Sequence, residues 1–209
     1  MEEIRNFASG CLLDSRGSHD WEHTCRVRRL CLQIGRVESA DLVVLEAAAY
    51  LHDVGRPFQD SSKGLICHAR KGAEIAEKFL AGSALNGERK ENIIHCIRTH
   101  RFRGDDAPLT LEAKVLFDAD KLDSIGAIGI GRTFQFAGEI GARIHNPDAE
   151  PQETKPYSEN DTAYREFRVK LCRIKDRMLT SEGKRLAEDR HRFMEEFFTR
   201  FLEEYEGIR

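Results

Sequence analysis

Apolar residues recur along most of the chain at the three- and four-residue spacing of helices that bury one face. The segments with this spacing are residues 20–38, 40–53, 67–80, 89–100 and 111–138. Two more lie near the C-terminus, one with Phe167, Leu171, Ile174 and Met178, the other with Leu186, Phe193, Phe197, Phe201 and Tyr205. No segment has the strong alternation of a half-buried strand, so the pattern predicts an all-α fold.

Local signals mark several ends of these helices. Ser18 or Asp20 can cap the first helix, because both side chains accept hydrogen bonds from free backbone N–H groups. Gly55 and Pro57 end the second helix. Three prolines among polar residues predict a loop over residues 143–160.

Two features of the chain after residue 125 match no catalytic or ligand-binding motif. Gly126, Gly129 and Gly131 do not fit the GxGxxG pattern and follow no strand, so we interpret them as close helix packing or a helix break. The terminal aromatic stripe, with Phe198 and Leu202 beside it, is predicted to be core, and a homodimer interface remains an alternative for part of it.

Length and charge limit the organisation and the partners of the protein. The 209 residues fall within the range of one domain and contain no proline-, glycine- or serine-rich linker. We expect a single domain over residues 1–209, with helices over about 161–206 packed on the rest. The 33 basic and 36 acidic residues give a net charge of −3, which offers no broad field for a nucleic-acid polymer or an anionic membrane.

Composition also predicts a compartment. No stretch has the apolar length that spans a bilayer, and the acidic start MEEIRNFASG lacks a signal-peptide pattern. The six cysteines are scattered without a CxxC pair, which is typical of reduced thiols, and a regulatory thiol remains open. We therefore expect a cytoplasmic protein.

Four ionisable side chains lie on or beside core-facing stripes, where an unpaired charge is costly. His23 precedes two apolar positions of its helix by four and seven residues, and His52 and Asp53 each follow an alanine by four. Asp120 follows apolar positions by three and four residues. Because a shared cation would compensate all four groups, the pattern predicts a metal site.

The donor set indicates which metals suit this site. Two imidazoles and two carboxylates favour a divalent transition metal over Ca²⁺. We expect Mn²⁺, with Co²⁺, Ni²⁺, Fe²⁺, Zn²⁺ or Mg²⁺ as alternatives. Asp118 competes with Asp120, but it lies on roughly the opposite side of the helix, so we expect it to orient a neighbour or cap a helix.

The order of these residues resembles a known signature. The segments EHTCRV, YLHDVG and DADKLD resemble the H…HD…D pattern of the HD-domain metal-dependent phosphohydrolase superfamily over about residues 18–125. The resemblance implies a helical bundle, hydrolysis of phosphate esters or anhydrides, and a metal held by His23, His52, Asp53 and Asp120. It extends to the middle segments HARKGAEIAEKFL and IRTH, and the remaining chain resembles small stand-alone bacterial HD proteins.

The resemblance also gives roles to two further histidines. His68 and His100 lie where binuclear members of the superfamily carry ligands to a second metal. Contact with the substrate phosphate or the attacking water is the other role that we expect for them, and a structural role remains open. Asp53, His68 and His100 are therefore the predicted catalytic residues, with Asp53 serving both as a ligand and as a hydrogen-bond acceptor for water.

Phosphoryl transfer needs positive charge against the developing negative charge on the phosphoryl group. Arg26 is the first candidate, because it follows His23 by three residues on a neighbouring helix face. Arg56, Lys71 and His100 are predicted to bind substrate with it. Other basic candidates are Arg101, Arg103, Lys121 and Arg132. His19 is interpreted as a residue near the site, and His95, His145 and His191 have no motif support.

Several functions remain open at this point. The favoured hypothesis is a nucleotide hydrolase, and the resemblance to the bacterial subgroup favours release of pyrophosphate from nucleoside triphosphates. Phosphomonoester hydrolysis and cleavage of a signalling nucleotide are alternatives within the same class. A di-iron oxygenase, with His68 and His100 on the metal, and a non-catalytic nucleotide-binding protein are alternatives from other classes.

Overall fold

The computed structural model describes residues 1–13, 20–101 and 106–209. Over these residues the secondary structure is helical, with no strand, which confirms the predicted all-α fold. The α-helices are α1 Glu2–Cys11, α2 Trp21–Glu38, α3 Leu42–Leu51, α4 Arg56–Ser61, α5 His68–Leu80, α6 Gly87–Thr99, α7 Leu111–Leu122, α8 Gly126–Glu139, α9 Ala163–Val169 and α10 Ser181–Tyr205. Predictions for Ser18, His19 and Arg103 lie outside the described residues.

The chain forms two compact units. The first unit contains residues 1–120 together with 179–183, and the second contains residues 121–178 together with 184–209. A single domain over the whole chain therefore stays a prediction. Among the described residues, no helix is long and apolar enough to cross a membrane, and the six cysteines are free thiols.

Helix α3 forms the centre of the first unit. Its sequence, LVVLEAAAYL, is almost entirely apolar, and the helix contacts α1, α2 and α6. Its small alanines at 47, 48 and 49 are fully buried and allow neighbouring helices to approach closely. Asp41 caps the helix by accepting hydrogen bonds from the N–H groups of Val43 and Val44. Residues that directly follow α3 are therefore buried whatever their polarity.

Helix α2 places its polar residues by amphipathic spacing. The Asp20 side chain accepts a hydrogen bond of 2.8 Å from the backbone N–H of His23 and so fixes the first turn. His23, Val27, Leu30 and Ile34 are buried along one face. The helix ends at Glu38, and Ser39 adopts a left-handed backbone with φ of 60°. The predicted start and inward face of this helix agree with the structure.

A close approach of two backbones joins the end of α3 to α5. At Gly55, an added Cβ would lie 2.2 Å from the carbonyl oxygen of His68 and 2.6 Å from the backbone nitrogen of Gly72. Since neither contact is with a flexible side chain, only glycine fits here. This approach holds the turn with His52 and Asp53 against the first turn of α5.

Two helix boundaries differ from the sequence pattern. Gly55 and Pro57 do not end the preceding helix, because α3 already ends at Leu51, and Pro57 lies in the first turn of the short helix α4, where proline is tolerated. The continuous helix predicted over 111–138 is broken between α7 and α8. Gly126 adopts φ of 75° at this break, and a Cβ at Gly129 would meet the Ser124 carbonyl oxygen at 2.3 Å. The helix break that the sequence left open therefore occurs at Gly126, whereas nothing lies within 4 Å of an added Cβ at Gly131.

The prediction for the first C-terminal helix was wrong in its length. Helix α9 ends at Val169, and short 3₁₀ turns over Leu171–Arg173 and Lys175–Arg177 follow it. Leu171, Ile174 and Met178 are buried, but from these turns rather than from a continuous helix. Apolar spacing alone does not distinguish the two, because i, i+3 positions share a face in both.

Helix α10 buries a different face from the predicted stripe. After its first turn, in which Glu182 and Gly183 are buried, its buried positions are Ala187, His191, Met194 and Phe198. Phe193 is 46% exposed and Tyr205 is 43% exposed, so these two are not core residues. Phe198 packs within aromatic contact of Phe134, Tyr164, Phe167 and Phe201 in the second unit. Apolar residues cover a wide part of the surface of this helix, so its sequence alone did not determine which face is buried.

We expect Gly55→Ala to lower the free energy of unfolding by about 3 kcal/mol, because the added methyl group meets main-chain atoms that cannot rotate away. Urea denaturation measures this loss. Gly10→Ala in α1 is the matched control, since nothing lies within 4 Å of its added Cβ, and we expect it to raise stability by about 0.5–1 kcal/mol. A Gly55→Ala protein as stable as the wild type would contradict the proposed close approach.

Candidate metal centre

Six ionisable side chains from five parts of the first unit converge on one buried location. His23, His52 and Asp120 form one group in which a ligand atom from each residue lies within 4.8 Å of the others. The second group with this property is Asp53, His68 and His100. The structure therefore brings together all six residues for which the sequence predicted a ligand or catalytic role.

The first group has the spacing of ligands around one ion. The Nε2 atoms of His23 and His52 are 3.3 Å apart, and Asp120 Oδ1 lies 3.5 Å from His23 Nε2. Two atoms that each lie about 2.1 Å from a common metal are about 3–4 Å apart, which is the range observed here. His23 and His52 are almost fully buried, whereas Asp120 is 15% exposed and forms the more open side of the group.

The second group repeats this arrangement. The Nε2 atoms of His68 and His100 are 3.1 Å apart. Asp53 Oδ1 lies 3.5 Å from the first of these atoms and 3.8 Å from the second. All three side chains are at most 5% exposed, so bulk water does not screen them.

Asp53 connects the two groups through its two oxygen atoms. Oδ2 lies 3.7 Å from His52 Nε2 and 3.9 Å from His23 Nε2, while Oδ1 faces His68 and His100. A carboxylate in this position can bind two ions, one through each oxygen. It lies in the turn after α3, and the burial of that helix removes it from solvent.

Hydrogen bonds on the far side of three rings fix which nitrogen faces the centre. His52 Nδ1 donates to the Ala49 carbonyl oxygen at 2.8 Å, and His100 Nδ1 donates to the Ile97 carbonyl oxygen at 2.6 Å. His68 Nδ1 lies 2.9 Å from Gln59 Oε1. Because these oxygens only accept, each Nδ1 carries the proton, and each Nε2 directs a lone pair into the centre.

The protonation of these rings follows from their burial. Burial lowers the pKa of His52 to about 4, although the nearby Asp53 carboxylate acts in the opposite direction. Burial also lowers the pKa of His68 to about 2, with a further contribution from His100. Both rings are therefore neutral near pH 7, which is the state that binds metal.

The donor atoms fit divalent transition metals. The Nε2 atoms of the two histidines lie 3.1 Å apart in one group and 3.3 Å apart in the other, which is the spacing of two ligands that share one ion. A buried carboxylate beside them adds negative charge, which the Arg56 guanidinium 3.3 Å from Asp53 Oδ1 offsets in part. Cations at the two positions would offset it further, and the mixed nitrogen and oxygen donors match Mn²⁺, Fe²⁺, Co²⁺, Ni²⁺ or Zn²⁺.

The predicted phosphate-binding side chains differ in their surroundings. Arg56 Nη2 lies 3.3 Å from Asp53 Oδ1 and 3.4 Å from His68 Nε2, so its guanidinium borders the centre. Lys71 instead pairs with Glu74 at 2.9 Å, and Arg101 donates to Cys67 Sγ. Arg26 is partly buried on α2.

Two of the remaining basic candidates belong to the second unit. Arg132 pairs with Asp123 at 2.8 Å within that unit. Lys121 is half-buried there.

Asp118 has a structural environment. Its carboxylate is fully buried and accepts hydrogen bonds from the backbone N–H groups of Leu179 and Thr180 and from the Thr180 hydroxyl. A Cβ at Gly183 would lie 2.3 Å from Asp118 Oδ2, so a glycine is needed here. The arrangement agrees with the prediction that Asp118 orients a neighbouring segment or caps a helix.

Sequence reasoning missed Gln59, which contacts the ring of His68 from nine residues earlier in the chain. No spacing rule connects a glutamine in one short helix to the first residue of the next, and glutamine is common on surfaces. The other histidines without motif support have local contacts. His95 Nε2 accepts from the Leu109 N–H, and His145 packs against Tyr164 and Tyr205.

Comparisons with known proteins give the family and relatives of known structure. The family model described as HD domain matches residues 20–125. YpgQ of Bacillus subtilis is 34% identical over 99% of this chain and 94% of its own. Its crystal structure in complex with ADP has a TM-score of 0.73, with 97% of this chain and 93% of that chain covered. The crystal structure of an HD-superfamily hydrolase from Bacillus thuringiensis is 30% identical with a TM-score of 0.78, covering 98% and 96%.

We expect the metal-free protein to become less stable as the pH falls. Unfolding returns the pKa of His52 from about 4 to the ordinary 6.5, so below that value the unfolded chain binds a proton that the native ring does not. The stabilisation is therefore complete above about pH 6.5 and is lost as the pH falls towards 4, by about 3 kcal/mol for this residue alone. His68 extends the loss to lower pH, because its pKa lies lower still.

Urea unfolding of chelator-treated protein across this pH range measures the effect. The variant His52→Asn has a polar side chain that does not titrate in this range. The stability of the variant should therefore fall less steeply than that of the wild type between about pH 6.5 and 4. Equal slopes for the variant and the wild type would show that the buried imidazole does not cause the loss.

Proposed function

The chain belongs to the HD-domain family of metal-dependent phosphohydrolases, and we propose that its substrates are nucleotides, which it hydrolyses with two divalent ions. The observation that carries the proposal is the division of six donors, five of them buried, into two groups joined by Asp53. We propose that His23, His52, Asp53 and Asp120 hold the first ion. Asp53, His68 and His100 then hold the second.

The geometry favours metal binding over direct substrate contact for His68 and His100. Both rings are almost fully buried, and their Nε2 atoms point at each other and at Asp53. A phosphate oxygen would bring further negative charge against these lone pairs, whereas a cation would be attracted to them. Mn²⁺ is our first choice for both positions, because the donors are mixed nitrogen and oxygen ligands.

The protein side chains supply positioning and charge for the reaction. Bound ions of this kind lower the pKa of water and polarise a phosphoryl oxygen. Asp53, between both groups, is placed to accept a hydrogen bond from the attacking water. Asp120, the most exposed of the six donors, lies on the side from which substrate can enter.

Arg56 is the cation best placed to bind the reacting phosphate. Its guanidinium is only 12% exposed and lies against Asp53 and His68. A partly desolvated arginine donates paired hydrogen bonds that match phosphate geometry, and it offsets the charge that develops during phosphoryl transfer. We assign Arg26 and Lys71 supporting roles towards the more distant phosphates of a nucleotide.

Support for a nucleotide substrate comes from the relative of known structure, since B. subtilis YpgQ was crystallised in complex with ADP. We favour hydrolysis of nucleoside triphosphates to monophosphates and pyrophosphate, and phosphomonoester hydrolysis is the second candidate. A cytoplasmic location and a homodimer are parts of the same proposal.

A di-iron oxygenase is the alternative from another class, because six histidine and carboxylate donors also suit two irons. It requires iron at both positions and oxygen-dependent turnover. Arg56 beside the centre favours hydrolysis, since oxygen chemistry has no use for a phosphate-binding cation there.

Variants of the donors test the two-ion site. We expect Asp53→Ala to lose both ions, and His23→Ala or His100→Ala to lose one, each with at least about 100-fold lower turnover. The matched control is His95→Ala in α6, the helix that ends before His100, since the His95 ring accepts from the Leu109 N–H and belongs to neither donor group. Metal analysis after dialysis gives the stoichiometry, and circular dichroism checks the fold. Full activity in Asp53→Ala would refute the site.

The product identifies the reaction. With a nucleoside triphosphate and Mn²⁺, we expect pyrophosphate and nucleoside monophosphate in equal amounts. Ion chromatography separates pyrophosphate from orthophosphate, and a panel with Mg²⁺, Co²⁺ and Ni²⁺ ranks the metals. Orthophosphate as the sole phosphate product would favour the phosphomonoesterase. Consumption of oxygen by an iron-loaded protein, without phosphate release, would favour the oxygenase.

A further inference from the structure

The three histidine rings with a fixed Nδ1 are not held in the same way. His52 and His100 are the C-terminal caps of α3 and α6, and each donates to a carbonyl oxygen three residues earlier in its own helix. The last carbonyl groups of a helix lack partners within the helix, so a ring at the C-terminus satisfies one of them. The backbone itself thus orients these two histidines.

His68 cannot be oriented by this device. It is the first residue of α5, so the residue three positions earlier lies outside the helix and offers no helical carbonyl group. The acceptor is a side chain instead, because Gln59 Oε1 lies 2.9 Å from His68 Nδ1. The same oxygen lies 3.4 Å from the backbone nitrogen of His68.

Gln59 also replaces the missing cap of α5. The N-cap residue Cys67 makes no side-chain capping hydrogen bond, and the N–H of His68 is among the groups left without a helical acceptor. One amide oxygen therefore restrains both the backbone and the ring of the same residue. This double contact fixes the direction in which His68 Nε2 points.

We propose that Gln59 is a positioning residue that sets the affinity of the second metal site through His68. The inference rests on the proposed two-ion function. Hydrogen-bond partners behind a metal-binding histidine fix its tautomer and orientation, and their loss typically weakens metal binding about 10–100-fold. The hydrogen bonds of the Gln59 side chain go to His68, which belongs to the second group. The first site therefore keeps its affinity when Gln59 is replaced.

The residue that replaces Gln59 decides whether the affinity of the second metal site is lost or kept. Gln59→Met keeps the length of the side chain but removes the acceptor, so His68 loses the partner that holds the proton on Nδ1. Gln59→Glu keeps an acceptor at the same position and makes it stronger, as in carboxylate–histidine–metal arrangements. The matched control is Gln33→Met, the same substitution at an exposed position of α2.

The first experiment titrates chelator-treated protein with Mn²⁺ and counts ions per chain. We expect two ions for the wild type, for Gln33→Met and for Gln59→Glu. In Gln59→Met we expect an unchanged first ion and a second ion bound about 10–100-fold more weakly. Wild-type affinity for both ions in Gln59→Met overturns the proposal.

The second experiment observes the ring without metal. Nitrogen-15 spectra of metal-free protein at about pH 8, above the ordinary histidine range, report which ring nitrogen of His68 carries the proton, and the His68→Asn variant identifies its signal. We expect the Nδ1–H form in the wild type and a mixture of tautomers in Gln59→Met. An unchanged tautomer overturns the positioning role.

The two experiments separate the two levels of the proposal. A wild type that binds one ion overturns the two-ion function, and the spectra then decide by themselves whether Gln59 orients His68. Two ions in the wild type with an unchanged second affinity in Gln59→Met leave the function intact and overturn the role of Gln59.

Discussion

A buried carboxylate at the end of an apolar helix is the constraint on which the rest of the first unit depends. Asp53 is 1% exposed, and its two oxygens face two pairs of histidine nitrogens. A lone charge in this position would cost several kcal/mol. The Arg56 guanidinium, 3.3 Å from Asp53 Oδ1, offsets part of this cost, and a metal ion held by the same carboxylate would offset more of it.

The ends of helices position three of the histidine rings in this centre. His52 and His100 follow the last residues of buried helices, where carbonyl groups without helical partners hold the far side of each ring. His68 begins a helix and needs a side chain for the same purpose. The rigid glycine contact between the turn at Gly55 and the start of α5 keeps these ends in register. The positions of these rings therefore depend on where the helices begin and end more than on the residues in the middle of each helix.

Local spacing determined much of the fold and of the site. The period of apolar residues was sufficient for the helical class and for the main helices of the first unit, because burial of one helix face imposes that period on any sequence. The same period placed His23, His52 and Asp53 on inward faces, since a residue four positions from a buried one lies above it. The order of the motifs then indicated the family, and the match to the HD domain model agrees with it.

Only the tertiary structure decided the features that depend on distant partners. Asp118 and Asp120 are two residues apart and have the same side chain. Their surroundings differ because the backbone N–H and the hydroxyl of Thr180 donate hydrogen bonds to Asp118. Gln59 has no pattern of its own, and its contact with His68 exists because a turn returns the chain to that point. Periodicity records which face of a helix is buried but not what covers it. The sequence therefore determined the donors, and the packing determined how they divide into two groups and what orients each ring.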